Sequence, residues 1–355
     1  MRDILPDIDR WREDHRSIAL ATVVQTWGSS PRRVGSRMAF TLDGKITGSV
    51  SGGCVENAVV EAGIEALKTD RPRLLHFGVA DETAWDVGLA CGGSIDIFVK
   101  PLDEIFFEVL RSTIIDEDPA VLVTVIRGPQ DLLGREMLAR EDSVLGTLGN
   151  EWHERVLKIA RETLAQGISR RFMLNESIEV FLEAILPPST LIVVGGVHIA
   201  IALVSLAKTL GYRTIVIDPR KAWGSEERFP HVDQLIQAWP EEAFRHVRLT
   251  RSTAIAMLTH DPKLDDLALR IALQSPVFYA GALGSKTTQA KRRERLLGAG
   301  LTESQLSRLH APIGLDIGAE TPEEIGLAVM AEIVDAHRSQ NQQEVKVEAD
   351  LYQTK

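Results

Sequence analysis

The chain has 355 residues, 44% of them hydrophobic and 25% charged, the balance of a globular protein of two or three domains. A formal net charge of −10 argues against non-specific binding to nucleic acid or to an anionic membrane surface. There is no run of 18 apolar residues, the N-terminal MRDILPDIDRWREDHR lacks the apolar core of a signal peptide, and two cysteines are too few for a disulfide framework. Together these point to a reducing compartment, by default the cytoplasm.

In chain order, Ile4, Leu5, Ile8 and Trp11 predict a short amphipathic helix. Ser17–Gln25 reads as a strand, Trp27–Pro31 as a turn, and Met38–Leu42 as a second strand closed by Asp43-Gly44. The intervening PRRVGSR carries Arg32, Arg33 and Arg37, by default a solvated charge run, with phosphate pairing as the functional alternative. The next stretch, ITGSVSGGCVENAVV (Ile46–Val60), concentrates the most specific chemistry. It predicts a strand, a turn at Ser51-Gly52-Gly53, and a helix over Cys54–Leu67 with Val55, Val59, Ala62 and Ala66 on one face. Backbone N–H groups from a glycine turn and a helix N-terminus form an anion site, and a cysteine in the first helical turn gains thiolate character. The alternative is a buried structural cysteine. Strand Leu74–Val79 follows, then Cys91-Gly92-Gly93 and strand Ile95–Lys100.

The order then repeats. Ala120–Ile126 echoes Ala19–Val24, Gly146-Thr147-Leu148 echoes Gly48-Ser49-Val50, and helix Trp152–Gln166 stands for Cys54–Leu67, with Glu154 opposite Glu56. Ser177–Leu182 (SIEVFL) repeats Ser94–Val99 (SIDIFV). Two pseudo-repeats, about 11–105 and 117–188, are expected to pack as one α/β domain, 1–188. Scaffold positions survive in both, whereas Ser51-Gly52-Gly53-Cys54 becomes Gly149-Asn150-Glu151-Trp152 and Cys91-Gly92-Gly93 has no counterpart. That asymmetry favours a functional site in the first copy. No CxxC or HxxxH pairing accompanies Cys54 and Cys91, which argues against zinc.

After the Pro187-Pro188 linker, residues 189–338 follow a doubly wound plan with a parallel sheet. Leu191–Val194 is a buried strand, Ile199–Leu210 a helix ended by Gly211, and Thr214–Ile217 a strand reaching Asp218, placed for a ribose hydroxyl. The fingerprint reads Gly195-Gly196-Val197-His198-Ile199-Ala200, with a β-branched residue where the second glycine admits pyrophosphate. Strands Ala254–Leu258 and Val277–Ala280 lead into the His260-Asp261 and Gly281–Thr287 loops, which should meet the Gly195 turn and Asp218 in one crevice. For His260 and Asp261 the structural alternative is capping of the next helix. Gly284-Ser285-Lys286-Thr287 fails the P-loop spacing. Thr321-Pro322-Glu323-Glu324 is a capping box opening a helix to about His337, and the polar segment 339–355 is expected to be a disordered tail.

The motifs SVSGGCVE (Ser49–Glu56), ACGGSIDIFVKP (Ala90–Pro101), DPR (Asp218–Arg220), RFP (Arg228–Pro230), HDPKLDD (His260–Asp266), GALGSK (Gly281–Lys286) and PIGLDIGA (Pro312–Ala319) together resemble the XdhC/CoxI family. Members are maturation factors of molybdenum hydroxylases such as xanthine and carbon monoxide dehydrogenases. The resemblance implies a cysteine-bearing domain followed by a Rossmann-like domain. It also implies binding of molybdenum cofactor, as molybdopterin or its dinucleotide form, its protection during sulfuration, and its insertion into an apo molybdenum hydroxylase. A cysteine desulfurase is an implied partner, and a homodimer follows by analogy with dimeric clients. Implied cofactor-binding residues in the first half are Ser51, Gly52, Gly53, Cys54, Glu56, Cys91, Gly92 and Gly93, with Cys54 and Cys91 as molybdenum or sulfur contacts. In the second half they are Gly195, Gly196, His198, Asp218, Arg220, His260, Asp261, Lys263, Gly281, Gly284 and Ser285, where a nucleotide could also sit. The family commonly has G-A-G-H or G-G-G-H where this chain has Gly195-Gly196-Val197-His198. Two alternatives stand beside this reading: an NAD(P)-dependent oxidoreductase built on Asp218 and Arg220, and a redox sensor that pairs Cys54 with Cys91.

Overall fold

Alternating apolar side chains build the first half from two antiparallel sheets of one plan. The computed structural model describes residues 1–29, 32–78 and 92–353, with side chains to residue 339. Two units are distinguished, Met1–Pro187 and Pro188–Lys355.

In the first unit, helix α1 (Leu5–Glu13) buries Leu5, Ile8 and Trp11. It precedes β1 (Ile18–Trp27), β2 (Arg37–Thr41), β3 (Ile46–Gly48), α2 (Glu56–Thr69), β4 (Arg73–Phe77) and β5 (Ser94–Pro101), and the sheet order is β3-β2-β1-β5-β4. The plan repeats with α3 (Glu104–Ile115), β6 (Ala120–Arg127), β7 (Glu136–Arg140), β8 (Val144–Gly146), α4 (His153–Gln166), β9 (Arg170–Met173) and β10 (Glu179–Ile185), in the order β8-β7-β6-β10-β9. Each sheet buries one face under its own helix, Val23, Phe40 and Ile97 against Val59 of α2, and Val123 and Val180 against Val156 and Ile159 of α4. The other faces meet: Val24 and Phe98 pack with Ile126 and Phe181.

Two details of the duplication follow from backbone geometry. Both central strands carry a bulge, since the pairing of β1 with β5 skips Val24 and that of β6 with β10 skips Ile126. A bulge reverses the parity of the side chains beyond it. Gln25 and Trp27 therefore stay on the same face as Leu20, Thr22 and Val24. The loop before each helix is anchored by Gly48 and Gly146, where an added Cβ would strike the carbonyl oxygens of Arg37 and Glu136 at 2.3 and 2.4 Å. From those anchors the N-cap residues are Val55 and Trp152, so the second loop is one residue shorter. Trp152 thus stands opposite Val55 rather than Cys54, and His153 rather than Glu154 stands opposite Glu56. Arg37, expected as a solvated charge, is buried and pairs with Glu183, while Lys100 pairs with Glu136 at 2.5 Å.

The second unit runs β11 (Thr190–Val194), α5 (His198–Thr209), β12 (Arg213–Ile217), β13 (Gln234–Ile236), α6 (Pro240–Ala243), β14 (Thr253–Met257), α7 (Pro262–Gln274), β15 (Tyr279–Ala282), α8 (Lys286–Gly298), α9 (Glu303–Leu306), β16 (Leu309–His310) and α10 (Pro322–Gln353). All strands are parallel in the order β13-β12-β11-β14-β15-β16, with the switch point between β11 and β14. Leu191 and Val193 pack under Leu203 of α5 and Val329 of α10, and Ile192 and Val194 pack under Leu269 of α7 and Leu296 of α8. This is the doubly wound Rossmann arrangement. The Thr321 capping box is present: Glu324 N–H donates to Thr321 Oγ1 at 3.2 Å, and Thr321 N–H donates to Glu324 Oε2 at 3.1 Å. The expected end near His337 is overturned, because α10 continues to Gln353. The segment is polar, but it lacks Gly and Pro and is rich in Gln, Glu and Lys, which lose little freedom in a helix.

Candidate functional site

Helix α2 begins at Glu56, so Cys54 lies before its N-cap, on the turn rather than in the first helical turn. That turn does not offer its N–H groups to an external anion. The Glu56 carboxylate accepts the N–H groups of Ser51 and Gly52 on Oε1, both at 2.9 Å, and that of Gly53 on Oε2 at 2.8 Å. It also accepts the hydroxyls of Ser49, at 2.8 Å, and Ser51. Ser51 Oγ in turn accepts the N–H of Val55 at 3.0 Å, so this buried serine ties the loop to the helix start. Burial alone would raise the Glu56 pKa, but the bonds from Ser51, Ser49 and Gly53 hold it down at about 2. The result is a closed, anionic loop with an exposed free thiol, Cys54, at its outer turn.

Cys91 lies outside the described residues. Gly92 and Gly93 are described, and Gly93 packs so closely on the 27–29 turn that an added Cβ would sit 2.2 Å from the Ser29 carbonyl oxygen.

The glycine turn of the second unit is occupied in a parallel way. Asp218 is fully buried and accepts the Gly196 N–H at 2.8 Å, the Arg220 N–H at 2.9 Å, and Arg220 Nε and Nη2 at 2.9 and 2.7 Å. Burial opposes its ionisation, and the Arg220 and Gly196 bonds outweigh that and lower its pKa. Arg228 Nη2 donates to the Gly196 carbonyl at 3.0 Å, and Arg220 and Arg228 both lie over the Trp223 ring at 5.3 Å. The Trp223 carbonyl presses on Gly196, within 2.3 Å of where a Cβ would stand. A ribose hydroxyl or pyrophosphate would have to displace these groups.

Asp261 is the N-cap of α7 and accepts the Lys263 N–H at 2.9 Å, while His260 is exposed with a left-handed backbone, φ 74°. The capping expected as the structural alternative for this pair therefore falls to Asp261, and His260 is free of that duty. Ser285 caps α8, accepting the Thr288 N–H at 3.3 Å. Gly281 is wedged against Tyr279 and Ile313, and Gly284 takes φ 134°. His198 and Lys263 are exposed in the first turns of α5 and α7. The contacts in this structure thus gather Gly195, Gly196, Asp218 and Arg220, with Thr259 against Gly195.

A third place lies outside the two glycine turns. An open cleft of about 480 Å³ in the first unit is lined by Gln25, Trp27, Asp96, Arg127, Arg171 and Glu179. A signal was available, because Asp96 and Glu179 interrupt apolar strands at matching positions of the two copies, and buried carboxylates demand partners. Among the described residues, no cluster of three or more His, Cys, Asp or Glu side chains suits a metal ion, and no helix is long and apolar enough to cross a membrane.

Comparison with known proteins places these features in context. Residues 11–78 match the profile of the XdhC and CoxI family, and residues 191–333 match that of the XdhC Rossmann domain. A Bacillus subtilis protein named as a probable xanthine dehydrogenase subunit is 30% identical over 337 residues, 93% of this chain and 96% of that protein. The Escherichia coli protein named molybdenum cofactor insertion chaperone PaoD is 24% identical over 93% of this chain and 91% of its own length. A crystal structure described as a xanthine dehydrogenase from Bacillus halodurans superimposes with a TM-score of 0.74 at 24% identity, covering 96% of each chain.

Proposed function

The chain belongs to the XdhC and CoxI family, and on that premise we propose that it is a molybdenum cofactor carrier. In this reading it binds the cofactor, as molybdopterin or a dinucleotide form, shelters it while a cysteine desulfurase supplies sulfur, and delivers it to an apo molybdenum hydroxylase. The observation that carries the reading is the Cys54 loop, an exposed thiol held on a turn that Glu56 ties to the protein. A thiolate is a soft donor suited to molybdenum or to transferable sulfur. Fixing the turn keeps that donor at one position, so that the cargo is not chased by a mobile arm. The turn's own N–H groups are spent on Glu56, and the cofactor phosphate therefore needs donors elsewhere.

The oxidoreductase alternative meets obstacles in the second unit. Asp218 already serves Arg220 and Gly196, a β-branched Val197 stands where the fingerprint has its second glycine, and the Trp223 carbonyl packs on Gly196. The deciding experiment is metal and pterin analysis of protein purified anaerobically from a molybdate-fed host, beside Cys54→Ala. Near-stoichiometric molybdenum and pterin, falling at least several-fold in the variant, is expected. Equal loading of both would remove the thiol from the site, and nucleotide without pterin in both would revive the oxidoreductase.

A further inference from the structure

The two copies in the first unit face each other in three tiers. Asp96, Phe98 and Lys100 stand on one face of β5, and Glu179, Phe181 and Glu183 hold the matching places of β10. At one end the tier is closed by Arg37 with Glu183 and Lys100 with Glu136. Phe98, Phe181, Val24 and Ile126 fill the middle. At the other end Asp96 and Glu179 border the 480 Å³ cleft.

That open tier departs from the duplication. The first copy contributes an indole, Trp27, with His76 set edge-on to it at 6.0 Å, and the second contributes two guanidinium groups, Arg127 and Arg171. Arg171 locks both carboxylates, donating from Nε and Nη2 to Glu179 at 2.8 Å each and from Nη1 to Asp96. His76 Nδ1 lies 2.6 Å from the other Asp96 oxygen. Each carboxylate oxygen has one partner within hydrogen-bond distance, with Arg127 Nε a further 3.8 Å ion-pair partner of Glu179 Oε2, which leaves accepting capacity for a ligand. Trp27 remains 46% exposed and the Arg127 side chain 59% exposed.

We propose that this tier binds a planar bicyclic heterocycle with a 2-amino-4-oxopyrimidine edge, and that Arg127 takes an anionic substituent on it. Paired N–H donors of such an edge suit a fixed carboxylate, the indole offers a stacking face, and the largely exposed Arg127 guanidinium, held by a long 3.8 Å ion pair to Glu179, suits phosphate. The cavity lies within the size range of small-molecule sites. The assignment rests on the carrier reading, because the pterin of the proposed cargo has this edge. Guanine has it too, and would report the nucleotide end of a dinucleotide cofactor.

The test titrates the full chain into 6-hydroxymethylpterin and follows the pterin's own fluorescence anisotropy, with GMP and AMP as competitors. Saturable binding is expected, weakened roughly tenfold by Trp27→Ala, in line with the loss of one stacked ring. Arg127→Ala should weaken GMP more than the phosphate-free pterin, and AMP should not compete. Both substitutions are at exposed positions, so folding survives them. Displacement by GMP below the pterin concentration assigns the tier to the guanine end, and weaker displacement assigns it to the pterin. Absent anisotropy change, unchanged affinity in both variants, or equal competition by AMP would overturn the proposal. Loading separates the two readings. Wild type and both variants carrying molybdenum equally would remove the cleft but keep the carrier, whereas cofactor-free wild type that binds pterin through Trp27 would keep the cleft and remove the carrier.

Discussion

Each unit carries a glycine turn between a strand and a helix, and in each a carboxylate of the same chain takes N–H groups that an external anion would need. The two differ in how that carboxylate is balanced. Glu56 is held by five neutral donors and keeps its full charge at the N-terminus of α2, where the helix dipole favours it. Asp218 is matched by the Arg220 guanidinium and fully buried beside Gly224, while the Trp223 carbonyl packs on Gly196. The first arrangement stiffens an exposed loop and leaves a thiol outside it, while the second closes a surface that related folds leave open to phosphate. A glycine turn ahead of a helix is an anion site only when no acidic side chain of the chain can reach it. In one case that residue lies three positions after the last glycine, and in the other it lies at the end of the next strand.

Alanine substitution should separate the two turns most strongly. Gly196→Ala places a Cβ 2.3 Å from a backbone oxygen, so it should cost about 2–3 kcal/mol. Gly53 has φ 117° with nothing within 4 Å, so Gly53→Ala meets backbone strain alone, about 1–2 kcal/mol. Urea unfolding of both variants checks the order, and equal losses would mean that the Trp223 carbonyl does not pack tightly on Gly196. Glu56→Gln comes next, costing about 1 kcal/mol at this partly solvated loop and raising the rate at which a thiol reagent modifies Cys54. Because the folded pKa of about 2 lies below the ordinary 4.5, the Glu56 contribution is complete above about pH 4.5 and is lost as the pH falls towards 2. The wild type should therefore lose stability across that window more steeply than the glutamine variant. The smallest effect concerns Val197→Gly, which restores the glycine fingerprint yet should bind NADH no better. A clear NADH fluorescence signal would show that Val197, rather than the Asp218 and Trp223 closure, was the obstacle.

Much of the architecture is legible in the sequence because it is written in periodicity. The SIDIFV and SIEVFL strands betray the duplication, and short buried strands alternating with helices indicate the parallel sheet. The capping roles of Thr321 and of Asp261 are readable for the same local reason. What stays hidden depends on loop geometry. The one-residue difference before α2 and α4 shows no gap in a motif comparison, which sets Trp152 against Cys54 instead of Val55. Asp218 reads as a ligand contact from its spacing and Glu56 from the family resemblance, and neither signal shows that the carboxylate folds back into its own turn. The cleft combines Trp27, Asp96 and Arg171 from distant segments, and only the facing of two sheets brings them to one place.

The closed tier of the duplicated unit has one more consequence. Its cations, Arg37 and Lys100, both come from the first copy, and its anions, Glu136 and Glu183, both come from the second. Two first copies laid face to face would set Arg37 against Lys100, and two second copies would set Glu136 against Glu183. Each half thus repels its own kind and accepts the other. The unit is built like a heterodimer fused into one polypeptide, with charges in its closed tier that complement the unlike copy and oppose the like one.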